Sequence, residues 1–305
     1  MLIESFMRAC LRRRIRGSWR FAQFAARHLS ALQRTRIEIE GSPPVFVDLR
    51  VPGMLLFFEN TPYAAPPWEA EQQVLMRRLV KPGDVVYDVG ANIGLHTVFL
   101  SVLVGSEGHV HAFEANTELY EMLRATVAGL ANTTLHEFGL SEHDETRLLV
   151  VPENREEASL VSWSGEDSTT RPCELRSLDT LVASRTIARP DFIKCDIEGA
   201  ELMMLRGARS IIDAADAPII LSEANARAAR AFGYVSGEIP GFLAGLTKPR
   251  YTIFVEDTPS RWVRRTSFPE LNQYILAIPE ARLARWPGLA ESEVITFADG
   301  AVSLS

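Results

Sequence analysis

Cysteine is scarce in this chain. The three thiols among its 305 residues, Cys10, Cys173 and Cys195, are odd in number, widely spaced and without a Cys-x-x-Cys pair or a His-rich partner segment. That pattern argues against a structural zinc and favours a reducing compartment, so a cytoplasmic location is expected. Long apolar runs are missing too. Stretches such as Met54–Phe58 fall far short of the roughly 20 residues needed to cross a bilayer, so no transmembrane helix is expected. There is no internal repeat and no extended low-complexity tract. Arginines interrupt what would be the apolar region of a secretory signal. What is there suits a globular protein: 47% of the residues are hydrophobic, ample for a packed core.

The net charge of −7 conceals two different regions. Residues 1–36 hold nine arginines against Glu4 alone, a balance of +8, so the remainder carries −15. In this head Leu11, Ile15 and Trp19 recur at helical spacing, followed after Gly17 by Phe21, Phe24, Leu29 and Leu32 among arginines. A basic amphipathic helix is the expected form. Such a helix could lie on anionic lipid, contact nucleic acid, act as a transit peptide or dock on its own acidic body. Peripheral membrane contact is the working expectation. Nucleic acid as a substrate is disfavoured, because the acidic body shows no evident Arg, Lys and aromatic face.

The pattern divides into a basic extension (1–36), a small strand region (37–68) with two or three short strands and Pro-rich punctuation from Thr61 to Trp68, and one large domain (69–305). Within the large domain a helix is expected over Glu69–Val80 and a buried strand over Val85–Val89, running into a helix around Leu95–Val104. The alternation continues with strands at Val110–Phe113, Thr134–Phe138, Arg147–Val151, Phe192–Cys195 and Ile219–Leu221. Helices are expected at Thr117–Ala128, Ala200–Ile212 and Ala224–Phe232, and final strands near Tyr251–Val255 and Gln273–Ile278. Alternating strands and helices imply an α/β fold with a doubly wound parallel sheet.

The most informative segment is Asp88-Val89-Gly90-Ala91-Asn92-Ile93-Gly94, where a buried strand turns into a helix. Ligands of open α/β sheets bind beyond such strand ends. Gly90 permits a tight turn and close approach of a ligand, and Gly94 permits close packing at the helix start. The dinucleotide fingerprint needs a glycine where Asn92 stands. Asp88 beside the turn suits a cationic ligand better than a pyrophosphate. Glu114 ends the second strand 20 residues beyond Gly94, near the spacing at which an acid accepts hydrogen bonds from ribose hydroxyls. A second cluster, Asp191-Phe-Ile-Lys-Cys-Asp-Ile-Glu-Gly-Ala-Glu201, brings Asp196 and Glu198 to the same crevice edge, with Gly199 leaving room for a substrate.

VVYDVGANIGLHT, HAFEAN, GLSEHDE, RSLDTLV and DFIKCDIEGAELMMLRGARSII together resemble the FkbM-type S-adenosylmethionine-dependent methyltransferases, over roughly residues 69–225. The resemblance implies a mostly parallel, seven-stranded Rossmann-like sheet with an antiparallel C-terminal hairpin, and S-adenosyl-L-methionine as cofactor. It implies O-methylation of a hydroxyl on a sugar, glycan or natural product. By position Asp88, Gly90, Asn92 and Gly94 match the cofactor loop, Glu114 the ribose acid, Ser141 and Glu142 the region near the adenine, and Asp196 the fourth-strand acid. Ala115 departs from the proline common after the ribose acid, and His96 from the aromatic or apolar residue common at its position.

Methyl transfer to a neutral hydroxyl needs alignment, exclusion of water and a general base. Candidate bases are Glu198, Glu223 at the end of the fifth strand, and His96, with Asp196 beside them. These acids could also hold a divalent cation that lowers the hydroxyl's pKa, but no Cys and His spacing calls for a metal centre. His109 and His111 on one strand are expected to pack. Two other classes stay open: a nicotinamide-dependent oxidoreductase, which Glu114 would also suit, and a non-catalytic cofactor-binding protein.

Overall fold

Strands that are apolar on both faces are stable only between two layers of helices, and the chain builds such a stack. A computed structural model describes all residues except 1, 40, 52, 60–66, 166, 259–260, 287, 299–300 and 305. Of the proline-rich punctuation expected from Thr61 to Trp68, residues 61–66 lie outside the described residues, and Pro67 and Trp68 open a helix.

The head is two helices, α1 (Leu2–Arg12) and α2 (Ser18–His28), not one. The break falls where Arg14 and Gly17 take left-handed backbone angles, φ 50° and 84°. A hairpin follows, β1 (Thr35–Ile39) paired antiparallel with β2 (Ser42–Val47). Next come α3 (Met54–Glu59) and α4 (Pro67–Leu79). Two of the two or three short strands expected in this region therefore form, and the apolar run from Met54 is a helix. Met7, Leu11, Ala22, Ala25 and Ala26 share one buried cluster with β1, β2, α3 and the following two helices of the large domain.

Those helices alternate with the first parallel strands: β3 (Val85–Val89), α5 (Leu95–Val104), β4 (His109–Phe113), α6 (Thr117–Val127) and β5 (Thr133–His136). An excursion follows, β6 (Gly139–Leu140), β7 (Glu145–Pro152) and β8 (Ser168–Arg176), which forms its own three-stranded sheet in the order β6-β8-β7. The strand expected at Arg147–Val151 therefore belongs to this side sheet. The chain returns through α7 (Leu178–Ala183), β9 (Phe192–Cys195), α8 (Glu201–Arg206), α9 (Arg209–Ile212), β10 (Ile219–Ala224), α10 (Ala226–Ala231) and α11 (Glu238–Ala244). The single helix expected over Ala200–Ile212 breaks at Gly207, where an added Cβ would stand 2.0 Å from the Ser141 carbonyl oxygen. The last elements are β11 (Tyr251–Thr258), β12 (Arg261–Arg264), β13 (Gln273–Pro279), α12 (Glu280–Leu283), β14 (Val294–Ala298) and β15 (Ala301–Leu304).

Ten strands make the main sheet, in the order β5-β4-β3-β9-β10-β13-β11-β12-β14-β15. The first five run parallel, and every pairing from β10–β13 outward is antiparallel. The sheet thus has ten strands where seven were expected, with β13 between β10 and β11 and with β12, β14 and β15 beyond them. Alternate residues of each strand feed opposite cores. Tyr87, Val89, Ile193 and Cys195 face one layer with Leu202, Ile211 and Leu243, while Val86, Val110, Phe192 and Leu221 face the other with Leu75, Phe99 and Trp286. Among the described residues, no helix is long and apolar enough to cross a membrane.

Candidate functional site

Strand β3 ends in a loop of three left-handed residues: Gly90 (φ 78°), Asn92 (φ 54°) and Gly94 (φ 93°). Asparagine tolerates this region better than most side chains. At Gly90 an added Cβ would sit 1.9 Å from the Asp196 carbonyl oxygen, so a side chain is excluded by the neighbouring strand end, while the Gly90 backbone lines the cavity. At Gly94 the Cβ would meet Leu123 and Thr126 of α6. That is the close packing expected of it. Asp88 is wholly buried beneath the loop, where its Oδ2 accepts a 2.6 Å hydrogen bond from Thr97 and its Oδ1 has no hydrogen-bond partner. Lys194 Nζ lies 3.8 Å from Asp88 and 3.5 Å from Asp196. In a chain of 29 arginines it is one of three lysines, and it sets a compact point charge in this buried gap.

Glu114, at the end of β4, is joined to the same loop. Its Oε2 accepts from the Asn92 backbone N–H at 2.8 Å and its Oε1 from that of Asn116 at 2.7 Å. Burial pushes the carboxyl up to about 7, against the lowering effect of the two N–H groups. The acid and the loop open into a cavity of about 410 Å³ walled by Gly90, Asn92, His96, Glu114, Asp196 and Glu198, within the size range of small-ligand sites. Its far wall is the segment 154–160, which comes from the irregular stretch after β7. Arg155 fixes that segment, reaching Glu118 at 2.7 Å and Asp48 at 3.4 Å, and Ser159 donates to the Glu198 carbonyl at 2.7 Å.

Beyond β9 and β10 three acids converge. Carboxylate oxygens of Asp196, Glu198 and Glu223 lie within 4.8 Å of one another, the group that could hold a metal ion among the described residues. Burial and the negative charge of Asp196 push Glu198 up to about 9, and the same causes raise Glu223 well above the usual range. One oxygen of each glutamate is buried without a partner. Carboxylates this close are not all ionised at neutral pH unless a cation lies among them. Asp196 is held from the side by Tyr274, whose hydroxyl donates to Oδ2 at 2.6 Å. Tyr274 stands opposite Glu223 in the β10–β13 register.

The structure therefore gathers Gly90, Asn92, Glu114, His96, Asp196 and Glu198 around one cavity, with Asp88 beneath it and Glu223 at its margin. Gly94 acts at a distance, through packing. Ser141 and Glu142 do not line the cavity; Gly139 and Leu140 do. Ser141 is turned into the junction with β8, its N–H donating to the Arg176 carbonyl at 3.0 Å, and Glu142 points to Arg206 and His143. The room expected at Gly199 is filled by Phe232 and Ala228. His96 is buried, and burial together with the Lys194 charge lowers it to about 3, so it is a neutral ring and a weak proton acceptor. His109 and His111 pack against β5: His111 Nδ1 lies 3.0 Å from His136 Nε2, and His109 Nε2 lies 2.8 Å from Thr134 Oγ1. Sequence reasoning missed Lys194, Tyr274 and Arg155. Only Lys194 carried a signal, a charge within a continuously buried strand.

A family model, the methyltransferase FkbM domain, matches residues 88–281, well over half of the chain. The chain belongs to the FkbM methyltransferase family. The matched region runs from the buried Asp88 through the acids after β9 to α12, and of the cavity lining only Gly53 and Phe57 lie outside it. A curated relative, the hexuronic acid methyltransferase AglP of Haloferax volcanii, is 27% identical over 157 residues, covering 49% of this chain and 61% of its own length. The chain thus matches about three fifths of that relative. Among solved structures, an FkbM methyltransferase from Methylobacillus flagellatus aligns with TM-score 0.42 at 17% identity, covering 73% of this chain and 60% of that one. A SAM-dependent O-methyltransferase from Thermotoga maritima aligns with TM-score 0.39 at 14% identity, covering 77% and 73%.

Proposed function

We propose that the protein is an S-adenosylmethionine-dependent O-methyltransferase whose acceptor is a hydroxyl of a sugar or a related small molecule. The observation that carries the reading is the pairing of a backbone-held acid, Glu114, with a crevice of crowded carboxylates in one cavity. Such a cavity suits a ligand with vicinal hydroxyls at one end and positive charge at the other. Glu114 keeps its remaining lone pairs for the ribose hydroxyls. The unpartnered oxygens of Glu198 and Glu223 favour the ammonium and sulfonium charges. When bound, the cofactor supplies an electrophilic methyl group on a positively charged sulfur.

The chain's own groups then do the rest. In the free protein Glu198, raised to about 9, is protonated at neutral pH; positive charge in the crevice stabilises its ionised form and turns it into a base only once the crevice is filled. Glu198 takes the acceptor's hydroxyl proton as that oxygen gains the methyl. Glu223 shares the field, Asp196 is oriented by Tyr274, and the 154–160 wall keeps water out. His96, lowered to about 3, is too weak an acceptor to be that base and contributes shape and a neutral polar atom. The family match favours group transfer over the nicotinamide alternative, and Asn92 stands where the dinucleotide fingerprint needs glycine. The similarity to a hexuronic acid methyltransferase supports a uronic acid or similar sugar as the first acceptor to try.

Calorimetric titration with S-adenosylmethionine and with NADH tests the cofactor. Transfer of labelled methyl from the cofactor to a panel of hexuronic acids and glycosides tests the acceptor and the non-catalytic alternative together. Binding of NADH alone, or cofactor binding without turnover on any hydroxyl acceptor, would overturn the reading.

A further inference from the structure

Eleven large hydrophobic side chains are exposed among the described residues, and seven of them fall in the first 29 positions. Phe24 and Phe6 are the most exposed of all, at 62% and 60%; the other four, Val102, Leu148, Val235 and Leu304, lie on separate elements or loops far apart in the chain. Docking does not account for this. The two head helices bury Met7, Leu11 and three alanines, Ala22, Ala25 and Ala26, against the body, and leave Trp19, Phe21 and Phe24 outside. Arg13, Arg14, Arg16, Arg20 and Arg27 are exposed beside them and make no ion pair among the described residues. Isolated apolar residues on a surface are ordinary, whereas a concentration of aromatics rimmed by unpaired cations marks an interaction face.

We propose that the outer face of α1 and α2 binds the surface of an anionic lipid bilayer. Its composition fits no other partner as well. Phosphates of a nucleic acid would engage the arginines, but Ile3, Ile15 and Leu29 would gain nothing from them. A second copy could meet the face only with its own head, which would set the same exposed arginines against one another. A bilayer interface takes both: aromatic and aliphatic side chains enter the acyl boundary while arginines stay with the headgroups. The head is also wired to the cavity. Arg8 donates to the Phe58 carbonyl at 2.9 Å and Arg12 to that of Glu59 at 2.8 Å, both on α3, and Gly53 and Phe57 from that segment line the cavity wall. Lipid binding therefore holds the cavity close to the membrane plane.

The test is co-sedimentation of the full chain with sucrose-loaded vesicles of phosphatidylcholine alone or with about 30% phosphatidylserine. We expect binding to the anionic vesicles at least about tenfold stronger than to the neutral ones, weakened by raised salt. The double variant Phe21→Ser, Phe24→Ser should bind about tenfold more weakly with an unchanged melting temperature, because both rings are exposed. Replacing Arg13, Arg14 and Arg16 with Gln should weaken binding similarly. Equal partitioning to both vesicle types, or no binding to either, overturns the proposal. So does loss of binding in the arginine variant with full retention in the phenylalanine variant, which would identify a general polyanion site. A vesicle-independent dimer abolished by the phenylalanine variant would assign the face to a second copy.

Discussion

Replacing Glu114 with Gln changes one atom and two properties at once. In the native site each carboxylate oxygen receives one backbone N–H, from Asn92 and from Asn116. A glutamine has one acceptor oxygen for two donors, so one buried N–H faces an NH2 group, at a cost of about 1–3 kcal/mol to the loop. The charge-assisted hydrogen bond to a ligand hydroxyl is lost as well, worth about 1.5–3 kcal/mol or roughly 10–150-fold in Kd. The native group also makes binding depend on pH. Because its folded value, about 7, stands above the ordinary 4.5, the protonated form is the one the free fold prefers. That contribution to stability is full below about 4.5 and is lost as pH rises through about 7. A ligand that donates hydroxyls to the carboxylate prefers the ionised form, so binding releases a proton below pH 7 and weakens by up to about tenfold per unit. Calorimetry with S-adenosylmethionine between pH 5.5 and 8.5, in buffers of different ionisation enthalpy, counts that proton. The difference between wild type and Glu114→Gln separates Glu114 from Glu201, which is raised to a similar value but is engaged by the Ile197 and Gly199 backbone. A variant with native affinity at pH 8, or with the native pH slope intact, would refute this account of Glu114.

The other expectations concern the acid crevice and the loop. Glu198→Gln should lower kcat by about 10²–10⁴ and remove the rise of kcat/KM with pH toward 9, whereas His96→Asn should leave the profile between pH 5 and 9 unchanged in shape, since His96 does not titrate there. Tyr274→Phe removes the 2.6 Å hydrogen bond to Asp196, and steady-state kinetics should show a loss in kcat of about tenfold, corresponding to roughly 1.4 kcal/mol. Gly90→Ala places a methyl 1.9 Å from the Asp196 carbonyl at φ 78°, so urea unfolding should show a loss of about 3 kcal/mol or more.

The cavity's near side was legible because its chemistry is local. Asp88 to Gly94 and Glu114 lie at fixed spacing around one β-to-α unit, and the hydrogen bond from Asn92 to Glu114 closes that unit on itself. The outer strands were not legible. Arg261–Arg264, Val294–Ala298 and Ala301–Leu304 are only four or five residues long, too short for a period to emerge against the turns around them. The head misled for a different reason. Spacing joined Leu11, Ile15 and Trp19 into one apolar face, but the helix breaks between them, Leu11 is buried and Ile15 and Trp19 stay outside. Tyr274 could not have been found from the chain alone. It lies 78 residues from Asp196, and only the insertion of β13 beside β10 brings them together.

That insertion also sets a schedule. As the chain emerges from the ribosome, β3, β4, β9 and β10 precede the strand that must slot between β10 and β11, and β11 itself appears before the strand it will flank. Until residue 274 is available, the β10 edge is open and Asp196 lacks its hydroxyl donor. The Glu114 side of the cavity depends on no residue so late in the chain, its carboxylate being held by Asn92 and Asn116. On the proposed reading β13 becomes a condition for turnover, because it carries the hydroxyl that holds Asp196.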